Sequence, residues 1–577
     1  MTAQNETLRN ETAQTETGKT PSKRTTLYRN GSVYSPADPF ATAVLVDGDT
    51  VAWVGSEQAA DAHSAGIDDV VDLDGALLAP AFVDGHVHIT ETGLALEGID
   101  LTEAATLQDV LDAVAAAAQR LPGGVLLGHG WDERRWPEQR PPTAAELDRA
   151  APGREVYLSR VDVHSAVVSG ELAARAGLAD LPGWSHDGRI ERDAHHAARA
   201  VTHELDPAQR ARVQRRALRA AAAAGIACVT ENAAPHVGSP ADLRSALDVS
   251  AAEPLPEVLA YWGDLAEDAK YATAVLNQLR ETLGEHAPSL LGLAGDLTAD
   301  GSVGSRTAYF REPYADAAAA GLDAGHRGRA YLDAEQVREH VVACTQVGVQ
   351  AGFHVIGDVA MDAVLAGFAA AADVVGIERL VAARHRLEHV EAVDADAIAE
   401  LARLGLTASV QPAFDAAWGG HDGMYAERLG PARGARLNPF ASMAAAGVPL
   451  AFGSDSPVTP FDPWGAVRAA VYHRTPGQEL SARAAFLAHT RGAWRAARRD
   501  GEGVVAPGTP ATFAVWAATD LVVQAADPAI AAWSTDPRSG TPVLPDVSPG
   551  AKLPECLRTV LRGRTIHDTG ALAGARR

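Results

Sequence analysis

Short apolar runs alternate with alanine-rich stretches of helical period through most of this chain. Eight such runs stand out: AFVDGHVH, GIACVTEN, PEVLAYWG, LLGLAGDLTADG, VQAGFHVIGD, RHRLEHVE, LTASVQPAF and PLAFGSDS. The alternation predicts βα units and a parallel sheet, the α/β class. Eight units predict a closed TIM barrel with functional residues at the carboxyl ends of its strands. This barrel is expected over residues 79–504. Residues 26–78 read as short strands, TLYRNGSVY, TAVLVDGDTVAWVG and DVVDLDGALLAP, with Asn-Gly and Asp-Gly turn signals. Residues 505–577 have the same texture, and CLRTVLRGRTIHD predicts a hairpin about Arg562–Gly563. The two ends are expected to form one small β domain. About residues 95–220, between the first two runs, form an insertion over the barrel mouth with helices at TLQDVLDAVAAAAQRL and PAQRARVQRRALRAAAAAG. Residues 1–25 are polar and are expected to be a disordered tail.

Composition narrows the function. With 577 residues there is room for a large core and an accessory domain. A formal net charge of −24 disfavours nucleic acid and anionic membranes as partners. Three scattered cysteines, Cys228, Cys344 and Cys556, read as buried thiols in a reducing compartment. No apolar stretch reaches spanning length, and the first residues lack an apolar core, so the cytoplasm is the expected location. The expected partner is a small-molecule substrate, with a homodimer left open. Only four of the 50 basic residues are lysines: Lys19, Lys23, Lys270 and Lys552.

Candidate chemistry sits at the run ends. His86 and His88 are two residues apart, so in a strand they share a face. A lone His-x-His pair is ordinarily a surface feature. Here His354, His389 and Asp455 each end a further apolar run. Nitrogen and carboxylate ligands from several strand ends suit a divalent ion, zinc first. Asp455 alone would read as a loop cap before Pro457. Arg306 reads either as a contact for an acidic or carbonyl group or as a surface arginine. Glu231 reads as a solvated carboxylate, His385 as packing or support for His389 by parity, and Arg210, Arg212, Arg215, Arg216 and Arg219 as a solvated helix face. There is no serine elbow, P-loop or dinucleotide fingerprint.

The segments PAFVDGHVH, GHGWDERRWPEQRPPT, RVDVHSAVVS, ADGSVGSRTAYFREPYAD, FHVIGD, HRLEHVE, SVQPAF and GSDSPV occur in this order. In these the chain resembles the metal-dependent amidohydrolase superfamily, in the YtcJ-like branch that includes N-substituted formamide deformylases. The resemblance runs from about residue 26 to the C-terminus. It implies a distorted (β/α)8 barrel with a composite β-sandwich, and it implies His86, His88, His354, His389 and Asp455 as metal-site residues. It also implies that residues such as His129, Trp131, Trp136 and His164 lie over the substrate, against the plain reading of a loop held by tryptophans. Many relatives carry a carboxylated lysine on the fourth strand; the matching position here is Asp296. Asp296 is therefore a sixth candidate ligand, and one tightly held ion is favoured over two.

Hydrolysis of a non-peptide C–N bond in an amide, formamide or cyclic amide is the function these readings imply, with Asp455 as base and then acid. Deamination of a ring amidine with a single metal is the alternative. A catalytically silent binding protein is the third reading, and the full set of four histidines with Asp455 argues against it.

Overall fold

The computed structural model describes residues 24–64, 66–121, 123–517, 521–522, 543–572 and 574–575. Nearly all of the polar segment 1–25, with Lys19 and Lys23, lies outside them.

Eight parallel strands form the central sheet. They are β1 (Phe82–Val87), β2 (Ile226–Ala233), β3 (Glu257–Trp262), β4 (Leu290–Leu293), β5 (Gln350–Val355), β6 (Arg386–His389), β7 (Thr407–Val410) and β8 (Leu450–Phe452), hydrogen-bonded in chain order. The seam between β8 and β1 closes just past the strand ends. There Asp455 N donates to His86 O at 2.8 Å and His88 N donates to Ser456 O at 3.0 Å. Gly453 permits this approach, since a Cβ there would lie 2.6 Å from the His86 nitrogen. The sheet is thus a nearly closed barrel.

Strands buried on both faces read as continuous apolar runs, which is why these eight stand out in the sequence. The helices around them carry clear signals. Helix Ala334–Val347 starts with an Asp333/Gln336 capping box and stops at Gly348, which adopts φ +81.

Two five-stranded sheets stack beside the barrel. One contains Thr25–Arg29, Ala43–Asp47, Thr50–Gly55, Asp69–Asp72 and Gly574–Ala575. The other contains Ser32–Val33, Leu77–Pro80, Phe513–Ala517, Glu555–Leu561 and Arg564–Asp568. Both termini therefore contribute, and Tyr28, Val44, Phe513, Val515 and Val560 fill the space between the sheets. Arg562 and Gly563 (φ 46 and 75) turn the last hairpin.

The segment between β1 and β2 holds more order than its sequence suggests. Ile99–Asp100, Leu126–Trp131, Val156–Arg160, Ser165–Val168 and Arg189–Glu191 form a third five-stranded sheet. Helices Leu107–Arg120 and Ala144–Ala150 cover one face, and Gly170–Arg175 and Arg192–Thr202 cover the other. All three cysteines are buried and unpaired. Among the described residues no single helix is long and apolar enough to cross a membrane.

Candidate metal centre

His86 lies near the carboxyl end of this barrel's seam strand, fully buried. Its Nδ1 faces Glu388 Oε2 at 2.8 Å. Glu388 in turn accepts from Arg386 Nε at 2.6 Å, and Arg386 also donates to Gly85 O (2.7 Å) and Ser409 Oγ (2.8 Å). Burial pushes the Glu388 carboxyl up, but Arg386 and His86 outweigh it and hold it well below the usual range. An ionised Glu388 accepts a hydrogen bond from Nδ1–H, which keeps the proton on Nδ1 and leaves the His86 Nε2 lone pair facing the barrel mouth. His389 is oriented the same way, with Nδ1 against Gln411 Oε1 at 2.9 Å. His354 stands on β5 with its ring centroid 4.5 Å from that of His389. The turn after it is pinned by buried Asp300, which accepts from Ile356 N at 2.9 Å and Gly357 N at 2.8 Å. Asp84 accepts from Ser454 N at 2.8 Å and ties β1 to the loop carrying Asp455.

Two of these positions depend on unusual backbone. His389 has φ 72 and Asp455 φ 55, left-handed values that a side-chain-bearing residue rarely adopts. Strand alternation turns Arg386 and Glu388 into the barrel. His385 therefore points to the helix layer, where Nδ1 accepts from Ala351 N at 2.8 Å. It packs there and does not share a face with His389.

The side-chain atoms left over converge. His86 Nε2 lies 3.5 Å from both Asp296 Oδ1 and Asp455 Oδ1, and His88 Nε2 lies 3.3 Å from Asp296 Oδ2 and 3.2 Å from Asp455 Oδ1. His86 Nε2, Asp296 Oδ1 and Asp455 Oδ1 are buried without hydrogen-bond partners. Atoms bound to one tetrahedral ion at about 2.1 Å stand roughly 3.4 Å apart, so this is the spacing of co-ligands. Three overlapping sets have donor atoms within 4.8 Å: His86, His88 and Asp296; His86, His389 and Asp455; Asp296, His354 and His389. Electrostatics point the same way. Burial pushes the His88 imidazole down, but Asp296 and Asp455 outweigh it and carry it up to about 10. Burial also raises Asp455, and the neighbouring histidines pull it down to about 2. Two carboxylates this deep call for positive charge, which a divalent cation provides in place of protons. The residues present therefore fit such an ion.

Residues 69–567 match the amidohydrolase family. The chain belongs to that family. It is 26% identical over 461 residues to the putative amidohydrolase YtcJ of Bacillus subtilis strain 168, covering 76% of this chain and 81% of the relative. It is 24% identical over 454 residues to an N-substituted formamide deformylase of Arthrobacter pascens, covering 73% and 78%. These similarities agree with the branch expected from the motifs. An uncharacterized metal-dependent hydrolase of Pyrococcus horikoshii OT3 shares the fold, with TM-score 0.66 and 24% identity over 87% of this chain and 98% of that one. The family assignment places the chain among hydrolases.

In this amidohydrolase a cavity of about 560 Å³ opens beside the converging side chains, lined in part by His88, His164, Asp296, His354, His389 and Asp455. His164 arrives on the insertion loop, 5.5 Å centroid to centroid from His354. That loop is clamped by Asp162, which accepts from Ser305 Oγ at 2.8 Å and Ser302 Oγ at 3.1 Å. The other expected substrate contacts are not brought there. His129 is spent on Ala95 O at 2.9 Å. Trp131 is buried in the insertion core, with Nε1 donating to Leu158 O at 2.8 Å and Trp136 packed 6.1 Å away. Arg306 is clamped bidentately by Asp316 at 3.0 and 2.6 Å. Glu231 is not solvated: it is buried and accepts from Ile89 N at 2.7 Å, fixing the helix that follows His88. Arg212, Arg215 and Arg219 do lie on an outer helix face, paired with Glu97 and Glu253.

The sequence reading missed a second group of cavity-lining residues. Arg192, His195, His196 and Arg199 line it from one helix, joined by His236, Arg329 and Tyr331. Their spacing of i, i+3, i+4 and i+7 in RDAHHAAR was a legible sign of one helix face.

Proposed function

We propose that this protein is a zinc-dependent hydrolase of a non-peptide C–N bond in an amide, with N-substituted formamides as the first class to test. The observation that carries this reading is the convergence of unpartnered histidine and carboxylate atoms, spaced as co-ligands, at the carboxyl end of the barrel beside a cavity of about 560 Å³. The similarity to a relative named for formamide cleavage supports the bond type.

His86, His88, Asp296, His354, His389 and Asp455 are the residues that hold the ion in this reading, with one tight position favoured. A divalent cation held by these residues would supply Lewis acidity for the scissile carbonyl and for an attacking water near neutral pH. Asp455 takes the proton of the attacking water and returns it to the departing amine. His164, on its clamped loop, faces the same space and donates to the carbonyl oxygen as charge develops on it. Glu388 and Gln411 keep His86 and His389 in the ligating tautomer throughout.

The test is metal content together with product analysis on N-substituted formamides, longer amides and ring amidines. Bound zinc and formate or carboxylate release are expected, and Asp455→Asn should retain metal while lowering kcat at least 100-fold. Ammonia from ring amidines with no amide turnover would assign deamination instead. Protein purified without metal and unable to take it up would overturn the reading.

A further inference from the structure

The cavity is far larger than a formyl group and water require, and its charge is unevenly distributed. Near the barrel mouth stand Asp296 and Asp455. Further lining comes from the helix Arg192–Thr202 together with the segment around Arg329. The imidazoles on that wall are engaged. His195 Nε2 meets the Tyr157 hydroxyl at 2.7 Å, and His196 packs on His236 at 5.1 Å. Burial keeps all three histidines in the neutral form near pH 7. Permanent positive charge on this wall therefore belongs to the arginines.

Those arginines differ from the buried arginines around the insertion and the barrel mouth. Arg160, Arg306, Arg386 and Arg428 are all held by carboxylates. Arg199 is held through one nitrogen by Glu91 at 2.6 Å, while its Nε is buried without a partner. Among the described residues, Arg192 and Arg329 have no carboxylate partner at all. Arg192, Arg329 and Tyr331 line the same cavity. Arg192 also sits at φ 48, an uncommon backbone state for a side-chain-bearing residue. Arg329 follows Gly328, whose φ is +80 and whose position has no room for a Cβ, which would lie 1.9 Å from Ala308 O. Local geometry thus fixes the backbone at both arginines; Asp193 lines the same cavity, but among the described residues neither guanidinium is in a carboxylate ion pair. In a protein with a net charge of −24, two such guanidiniums on a substrate cavity are a site for an anion that arrives with the substrate.

We propose that Arg192 and Arg329 form a carboxylate-binding end of the cavity, so that the preferred substrates are amides bearing a carboxylate remote from the scissile bond. This rests on the amide-cleaving reading above and narrows it to a substrate class.

The probes are N-formyl-ω-aminoalkanoates of increasing chain length, each compared with the alkylformamide of the same length. KM is measured where turnover occurs and Kd by calorimetry where it does not. At the best chain length the carboxylate member should bind at least 10-fold more tightly than its uncharged match. In Arg192→Gln/Arg329→Gln that ratio should fall to within twofold of one. If the double variant does not fold, as judged by its melting profile, Arg329→Gln alone replaces it, at an exposed position, and should lower the ratio at least threefold. No preference at any length, or a preference that survives these substitutions, overturns the proposal. Stronger competition by inorganic phosphate than by acetate overturns the assignment to a carboxylate. Cleavage of both series with equal KM leaves the amide reading standing and removes the carboxylate end. An arginine-dependent preference without cleavage of either series does the reverse.

Discussion

Glu388 is the residue whose loss separates support of the metal centre from the centre itself. In Glu388→Gln the side chain keeps its shape and loses its charge. Two consequences follow from the contacts at 2.8 Å to His86 and 2.6 Å to Arg386. First, the amide can present its NH2 to His86 Nδ1 and release the ring from its ligating tautomer. Loss of such an outer contact lowers metal affinity by about 10- to 100-fold. Second, the Arg386 guanidinium, 1% exposed and stacked 4.7 Å from the Tyr261 ring centre, is left as an uncompensated buried charge. Breaking one side of a buried ion pair costs about 3–5 kcal/mol. The lower end applies here, because Arg386 keeps its bonds to Gly85 O and Ser409 Oγ. Chelator competition reads the first effect, and guanidinium unfolding of the metal-free protein reads the second. Adding Arg386→Met should recover much of the stability, since removing both charges is often close to neutral, yet it should not recover affinity. Unchanged metal affinity in Glu388→Gln would refute the tautomer argument. A double variant no more stable than the single one would refute the buried-charge argument.

Further outcomes are expected. His86→Ala/His88→Ala should lose most bound metal and all turnover; unchanged metal by elemental analysis would sink the assignment. Activity should not depend on bicarbonate, and Lys270→Ala should stay active, because Lys270 and Lys552, the lysines among the described residues, are both exposed and outside the cavity lining. Metal titration into stripped protein should reach full activity near one equivalent, whereas a sharp requirement for two would make Asp296 a bridge. Asp162 predicts acid lability of the His164 loop. Burial raises its carboxyl, but Arg160 and His164 pull it from the ordinary 3.8 down to about 2. A depressed carboxylate stabilises the fold above its unfolded pKa and loses that contribution as pH falls through the folded one. About 2 kcal/mol should therefore disappear between about pH 4 and pH 2. Hydrogen exchange of residues 160–165 should rise in that window in the native protein and show no such step in Asp162→Asn.

The barrel was legible because parallel strands buried from end to end are rich in apolar residues, and β1, β2 and β5 are buried along their whole length. Its candidate ligands were legible because each ends such a run. Parity was a poor guide beyond that point: His389 reaches the mouth through a left-handed residue, which no period-two pattern encodes, so His385 was placed on the wrong side. The insertion sheet was hidden for another reason. Ser165–Val168 and Arg189–Glu191 are too short to carry a periodic signal, and their pairing is set by the helices on either face. The tryptophans of GHGWDERRW were conspicuous, yet their size serves the insertion core. Polar Glu388 and Arg386 were read as part of a motif without a role, because their task arises only when β1 and β6 meet across the barrel interior.

The pairing of Leu77–Pro80 with Phe513–Ala517 joins positions separated by about three-quarters of the sequence. During synthesis the earlier strand leaves the ribosome long before its partner exists. Its apolar residues must wait through the assembly of the entire barrel, and the last strands then close over them. The order of manufacture is thus opposite to the order in which this layer becomes complete. A chain stopped just after the barrel would carry every candidate ligand and still expose an open, sticky sheet edge, so premature termination should be read out as aggregation rather than as a shorter working enzyme.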